Sequence, residues 1–187
     1  MSGDVMTAFL RRTLEEELPR VLAASDVLHL SPDFTSGDPP RRLYGLFTDV
    51  ERFTPGSGEI FQTLRRPLPF ILDYPDDYCS CCDGTLQLRV ARVLAPTVHP
   101  NISPGGIVCL GPTFRPSTRL RPLLEHVHRI CTGRVFASES PWDARTAHFF
   151  LNHTERIRAL RAAPLWRAPI AQRVRVESVE PGSGGPR

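Results

Sequence analysis

In the stretch HPNISPGGIVCLG, residues 99–111, one thiol, Cys109, stands eight residues beyond the asparagine of a His-Pro-Asn turn, with two consecutive glycines between them. Cysteine is both an able nucleophile and an able leaving group, because its thiolate is accessible near neutral pH. Those two properties suit a residue that takes up an acyl group as a thioester and hands it on. When an amine attacks such a thioester, negative charge develops on the former carbonyl oxygen. A carboxamide donor such as that of Asn101 stabilises this charge, an interaction worth about 2.7 to 4 kcal/mol in comparable sites. Pro100 fixes the backbone so that Asn101 points correctly. Gly105 and Gly106 are expected to let the loop approach Cys109 without side-chain obstruction.

The rest of the composition narrows what such a thiol is for. Of 187 residues, 41% are hydrophobic and 23% charged, an ordinary globular balance with length for one full core. The reading is one domain over 1–175 and a flexible tail, 176–187, which contains ESVEPGSGGPR. No apolar run approaches the roughly 20 residues that span a bilayer, and the first residues lack a basic segment followed by an apolar one, so a cytoplasmic protein without membrane partners is expected. Five cysteines are an odd number, and without an export signal reduced thiols are the default. Cys79, Cys81 and Cys82 lack the paired two-residue gaps of zinc sites, so they read as a turn with partly buried thiols, and no metal or organic cofactor is expected. The net charge is +3 and all 23 basic residues are arginine. They are scattered rather than clustered, which does not indicate nucleic acid as a partner. The absence of lysine fits codon bias in a GC-rich genome, and it also removes the side chain that isopeptide-forming enzymes modify.

The elements that must position the turn and the thiol follow from periodicity. TAFLRRTLEEELPRVLAAS, with Leu10, Leu14 and Leu18 at four-residue spacing, predicts a surface helix bent or stopped near Pro19. SPDFTSGDPPRR reads as a loop. Four strand-like runs follow, RLYGLFTDV, EIFQTL, PLPFILDY and GTLQLRVARVL, separated by turn signals that favour an antiparallel meander. Residues 95–115 read as a long irregular loop carrying His99, Asn101 and Cys109. Beyond it, Leu120, Leu123, Leu124, Val127 and Ile130 recur at helical steps, with Pro122 tolerable only if the first turn begins late. A last helical stretch places Ser140 or Asp143 as caps and Ala147, Phe150, Leu151, Ile157 and Leu160 as the buried set. His126 and His128, two apart on a helix, read as surface residues, and Cys131 as core. The order is an α+β arrangement: an N-terminal helix, a four-stranded antiparallel meander, a long active-site loop and C-terminal helices.

HPNISPGGIVCLG resembles the active-site segment of the ubiquitin-conjugating enzyme family, in which a His-Pro-Asn turn precedes the catalytic cysteine at this spacing and a leucine follows it. LPFILDYPDDY is similar to the family's strand that ends in an acidic, Tyr-containing turn, and WDARTAHFFLNH to a later helix, so the likeness covers roughly residues 43–160. It implies the ubiquitin-conjugating-enzyme-like fold and an enzyme that accepts a ubiquitin-like protein from an activating enzyme as a thioester on Cys109 and passes it to an amine of a protein target. It further implies that Asn101 stabilises the transition state and that His99 braces the turn rather than acting as a base. The family's acidic or serine gate for the acceptor falls among Ser138, Glu139, Ser140 and Asp143, with Asp143 ranked slightly ahead. Arg11, Arg12, Glu15 and Glu16 are then plausible contacts for the activating enzyme, and equally plausible as a solvated face.

The chain departs from the family's pattern in several places. Gly111 and Pro112 follow the Cys-Leu pair where many relatives carry an acidic residue, Phe114 stands for a tryptophan, and CSCCDGT replaces a proline-rich turn. These departures suggest a bacterial relative, and the likeness implies an antiphage-defence setting, either a ubiquitin-like conjugation operon of the Bil type or a CBASS system. A conjugating-like module that only binds a ubiquitin-like protein or partner subunit is the alternative, although such inactive relatives typically lack the cysteine. A cysteine hydrolase is more remote, since the rigid turn makes His99 a poor base.

Overall fold

Alternation along two runs decides the centre of the sheet. In Arg42–Phe47 the side chains of Leu43 and Phe47 turn inward with Gly45 between them, and in Leu68–Asp73 those of Leu68, Phe70 and Leu72 do the same, the period of two that buries one face of a strand. A computed structural model describes residues 2–56, 61–80, 86–112, 114–137 and 141–168. In chain order it contains α1 (Ser2–Arg12), α2 (Leu18–Ala23), β1 (Leu28–Pro32), β2 (Arg42–Phe47), β3 (Glu51–Thr54), β4 (Gln62–Arg65), β5 (Leu68–Asp73), β6 (Ala91–Val93), α3 (Leu120–Cys131), α4 (Ala144–Asn152) and α5 (Thr154–Arg158).

The architecture is α+β, with a four-stranded antiparallel sheet in the order β1-β2-β5-β6 between an N-terminal helical segment and C-terminal helices. Its membership differs from the sequence reading. The predicted strand near residues 59–64 becomes β4, which pairs with β3 as a separate antiparallel hairpin between β2 and β5. The missing member is β1, a short edge strand that ends in Pro32, where an absent N–H costs no ladder bond. The run ending in VARVL yields a single 3-10 turn at Leu86–Leu88 before β6 begins. Gly45 is needed because a Cβ there would lie 2.1 Å from the Phe70 ring, its cross-strand partner, which stacks on Phe47.

The first helix runs past Arg12 through one turn of wider π geometry, Thr13–Glu17, in which the Leu18 N–H donates to the Thr13 carbonyl. It then continues through Pro19, which sits in the first turn of α2 where its missing N–H is harmless. The wide turn brings Glu17 inward, and its carboxylate accepts from the Leu120 N–H at 2.8 Å, capping α3 from 103 residues away. In α3 the faces Leu120, Leu123, Leu124, Val127 and Ile130 are fully buried, and Pro122 falls in the first turn as expected. His128 is buried, not at the surface. It packs edge-on against Phe47 because a residue one step from Val127 on this helix still faces the sheet. Cys131 is core, and burial pushes its thiol up to about 12.

A second, smaller core lies beside the main one. Phe53 and Phe61 of the hairpin region meet Phe150, Ile157 and Leu160 of the C-terminal helices. Leu151, expected in this buried set, is 54% exposed because the helix breaks after Asn152 and turns only the Ala147–Phe150 side inward. Among the described residues no helix is long and apolar enough to cross a membrane. Cys81, Cys82, Ser138, Glu139, Ser140 and the tail beyond residue 168 lie outside the described residues.

Candidate active site

The loop after β6 folds back on the sheet edge it has just left. Val93 N–H donates to the Gly106 carbonyl at 2.9 Å and Val108 N–H to the Ala91 carbonyl at 3.0 Å, so residues 106–108 run alongside β6. Gly106 has a φ of +82°, and a Cβ on it would stand 2.1 Å from the Val93 carbonyl oxygen. Only glycine permits that approach. Its neighbour Gly105 has no such demand, with only the Ser103 hydroxyl near, so of the two glycines one is required, and by the sheet edge rather than by Cys109.

This fold-back brings the thiol to the turn. The Cys109 N–H donates to the Asn101 carbonyl at 2.7 Å, and Cys109 is half-buried. The Asn101 carboxamide is itself buried and held, its Oδ1 accepting the Ala137 N–H at 2.8 Å. With Oδ1 occupied, the amide nitrogen is the end left to donate, and it has no partner among the described residues. The carboxamide therefore cannot turn over without losing a buried hydrogen bond, which fixes the donor before any substrate arrives.

His99 supports this from below. Its Nδ1 accepts the Asn101 N–H at 3.0 Å, so the ring's proton is on Nε2, which is buried with no hydrogen-bond partner among the described residues. The ring is buried and stands edge-on to Phe150 at 5.0 Å. Burial pushes its pKa down to about 3, with the Val135 backbone offsetting part of the effect. A neutral ring whose acceptor nitrogen is taken by the backbone is a brace, and it has no lone pair to offer Cys109. The cysteine-hydrolase reading loses its base by the same bond.

The segment after α3 clamps the turn from the other side. The Trp142 N–H donates to the Pro100 carbonyl at 2.9 Å, next to the Ala137–Asn101 bond. This places Asp143 one residue from a direct contact with the turn. Its carboxylate, however, caps α4, accepting the Arg145 N–H at 3.1 Å, the Thr146 N–H at 3.0 Å and the Thr146 hydroxyl. These bonds, the hydroxyl's foremost, hold its pKa below the usual carboxylate range. Such a carboxylate orders the segment rather than collecting protons.

Two anchors were not legible in the sequence. The Leu110 N–H donates to the Gln87 carbonyl at 3.2 Å, and the Leu110 carbonyl receives a bond from His126 Nε2 at 2.7 Å. His126 is thus half-exposed yet tied to the site. Its spacing, three beyond Leu123 and four before Ile130, put it at the border of the apolar stripe and was the available signal. Arg11, Glu15 and Glu16 are exposed, while Arg12 turns toward Glu17 at 3.7 Å. Cys79 is half-buried with its sulfur 3.8 Å from that of Met6, and no three His, Cys, Asp or Glu side chains converge as a metal set among the described residues.

No family model matches the chain and no curated protein matches it in sequence.

Proposed function

We propose that this chain is a ubiquitin-conjugating-like enzyme, with Cys109 accepting a ubiquitin-like protein from an activating enzyme and transferring it to an amine of a protein target. The observation that carries the reading is the bond from the Cys109 N–H to the Asn101 carbonyl, with the Asn101 Oδ1 locked by Ala137. It supports a nucleophile and an oxyanion donor that belong to one rigid unit. The antiparallel sheet order, the fold-back loop and α3 behind it support the corresponding fold. An antiphage-defence operon of bacteria is the setting we favour.

In the first step the Cys109 thiolate attacks the thioester carbonyl on the activating enzyme, a new carbon–sulfur bond forms and the activating enzyme's thiolate leaves. In the second a neutral amine attacks the Cys109 thioester, Asn101 Nδ2–H donates to the oxyanion, and as the amide forms the amine's proton passes to solvent and the Cys109 thiolate departs. His99 holds Asn101 throughout. Asp143 contributes by ordering the clamp at residues 142–146.

The test mixes the protein with ATP and with the activating enzyme and ubiquitin-like protein of its own operon, and follows adducts on non-reducing gels with intact-mass confirmation. A thiol-sensitive adduct absent from Cys109→Ala, and persisting undischarged in Asn101→Ala, is the expected result. No adduct from a competent activating enzyme would overturn it in favour of a module that only binds.

A further inference from the structure

Burying Leu110 takes its peptide groups out of water along with its side chain, which is 1% exposed. Both must then find partners. The N–H finds the Gln87 carbonyl and the carbonyl finds His126. A carbonyl only accepts, so the 2.7 Å contact has His126 donating through Nε2–H. Immediately beyond, Gly111 takes a φ of +83° with open space around it and the chain turns away. Among the described residues, Cys109 and Leu110 themselves are therefore tethered by the hydrogen bonds of their two N–H groups and by this one side chain.

The donor stands on a firm base. His126 lies mid-way along the twelve-residue α3, between Leu123 and Val127, both fully buried. Its own ring is half-exposed beside Phe114, Arg115, Thr118 and Pro122. An anchor made by a rigid helix restricts the peptide after Cys109 more than a loop contact would, and a nucleophile that must meet both an incoming acyl group and Asn101 depends on that restriction.

We propose that His126 is a positioning residue for Cys109: by donating Nε2–H to the Leu110 carbonyl it holds the thiol-bearing backbone against the Asn101 turn. The structural part stands on the geometry alone, and its effect on acyl transfer rests on the thioester reading above.

The test compares wild type with His126→Phe, which keeps a ring but removes the donor, and His126→Gln, whose side-chain nitrogen restores it. His126→Leu serves as a second donor-free variant should the phenylalanine disturb folding. Hydrogen exchange of the peptide covering residues 107–111 is read by mass spectrometry, with peptides from β2 and β5 as the internal standard. Exchange there is expected to quicken about fivefold in His126→Phe, as for the loss of one hydrogen bond, and to return toward wild type in His126→Gln. In single-turnover charging from the loaded activating enzyme, the Phe variant should show a rate constant about fivefold lower with KM unchanged, and the Gln variant should recover it. Unaltered exchange in both donor-free variants, or no recovery with glutamine, overturns the proposal. If the exchange pattern appears but wild type itself is never charged, the thioester reading fails while the anchor stands. If wild type and donor-free variants charge alike, the anchor has no catalytic role and that half is lost.

Discussion

Acidification should unfold this protein in a window set by two buried histidines. His99 and His128 are both buried, and burial pushes their pKa values down to about 3 and about 4 from 6.5. Around His128, Arg134 adds to the depression and Glu125 opposes it. Because the folded values are lowered, each ring contributes stability that is fully present above the unfolded pKa and is lost as pH falls toward the folded one. At pH 5 the unfolded chain holds both protons and the folded chain holds almost none, which costs about 2 kcal/mol per ring and about 4 kcal/mol for the pair relative to pH 8. That is a large share of a typical domain's stability. Asp26, Asp33, Asp49 and Asp143, all held below their usual range by hydrogen bonds, titrate at lower pH and leave this window to the imidazoles. Urea melts from pH 8 to 5, followed by tryptophan fluorescence, measure it. His128→Phe, which keeps the edge contact to Phe47 and removes a buried nitrogen without a partner, should halve the pH dependence to about 2 kcal/mol. A flat profile in wild type, or an undiminished one in His128→Phe, would refute the assignment of both rings as buried and neutral.

Gly106→Ala should lower stability by about 2 kcal/mol or more, because its left-handed φ and the 2.1 Å approach to Val93 force the loop off β6; Gly105→Ala is the control that should leave the melt unchanged. Asp143→Ala should cost about 1 kcal/mol as a lost helix cap, and a deficit in amine transfer beyond that instability would show that the carboxylate also acts on the acceptor. With no lysine in the chain, prolonged incubation with the complete cascade should give little amide-linked self-modification, whereas an Arg115→Lys variant tests whether an amine near the loop is taken up; abundant modification of wild type would contradict this.

What the sequence disclosed tracks how local each signal was. The His-Pro-Asn turn, the late start of α3 before Pro122 and the Asp143 cap are all contacts within a few residues, and spacing alone indicates them, whereas the demand on Gly106 comes from the Val93 carbonyl on the sheet edge. The hairpin's separation from the sheet, the burial of His128 and the pull of His126 toward Leu110 depend on which segments meet across long stretches of chain. No periodicity encodes that. Edge strand β1 escaped for another reason: five residues ending in Ser-Pro carry too little alternation to stand out from the loop that follows.

The π turn in the first helix has a consequence for the order of assembly. Glu17 satisfies the first N–H of α3 across a separation of 103 residues, so the helix behind the thiol loop lacks its cap until the amino-terminal helix has docked. A contact of such high sequence separation forms late or at high entropic cost. Weakening Glu17 should then show in folding kinetics, as a slower closing of the structure or a faster opening of it, according to whether the helix docks before or after the transition state. The helix behind the Cys109 loop is in this sense completed by a side chain 103 residues away from it.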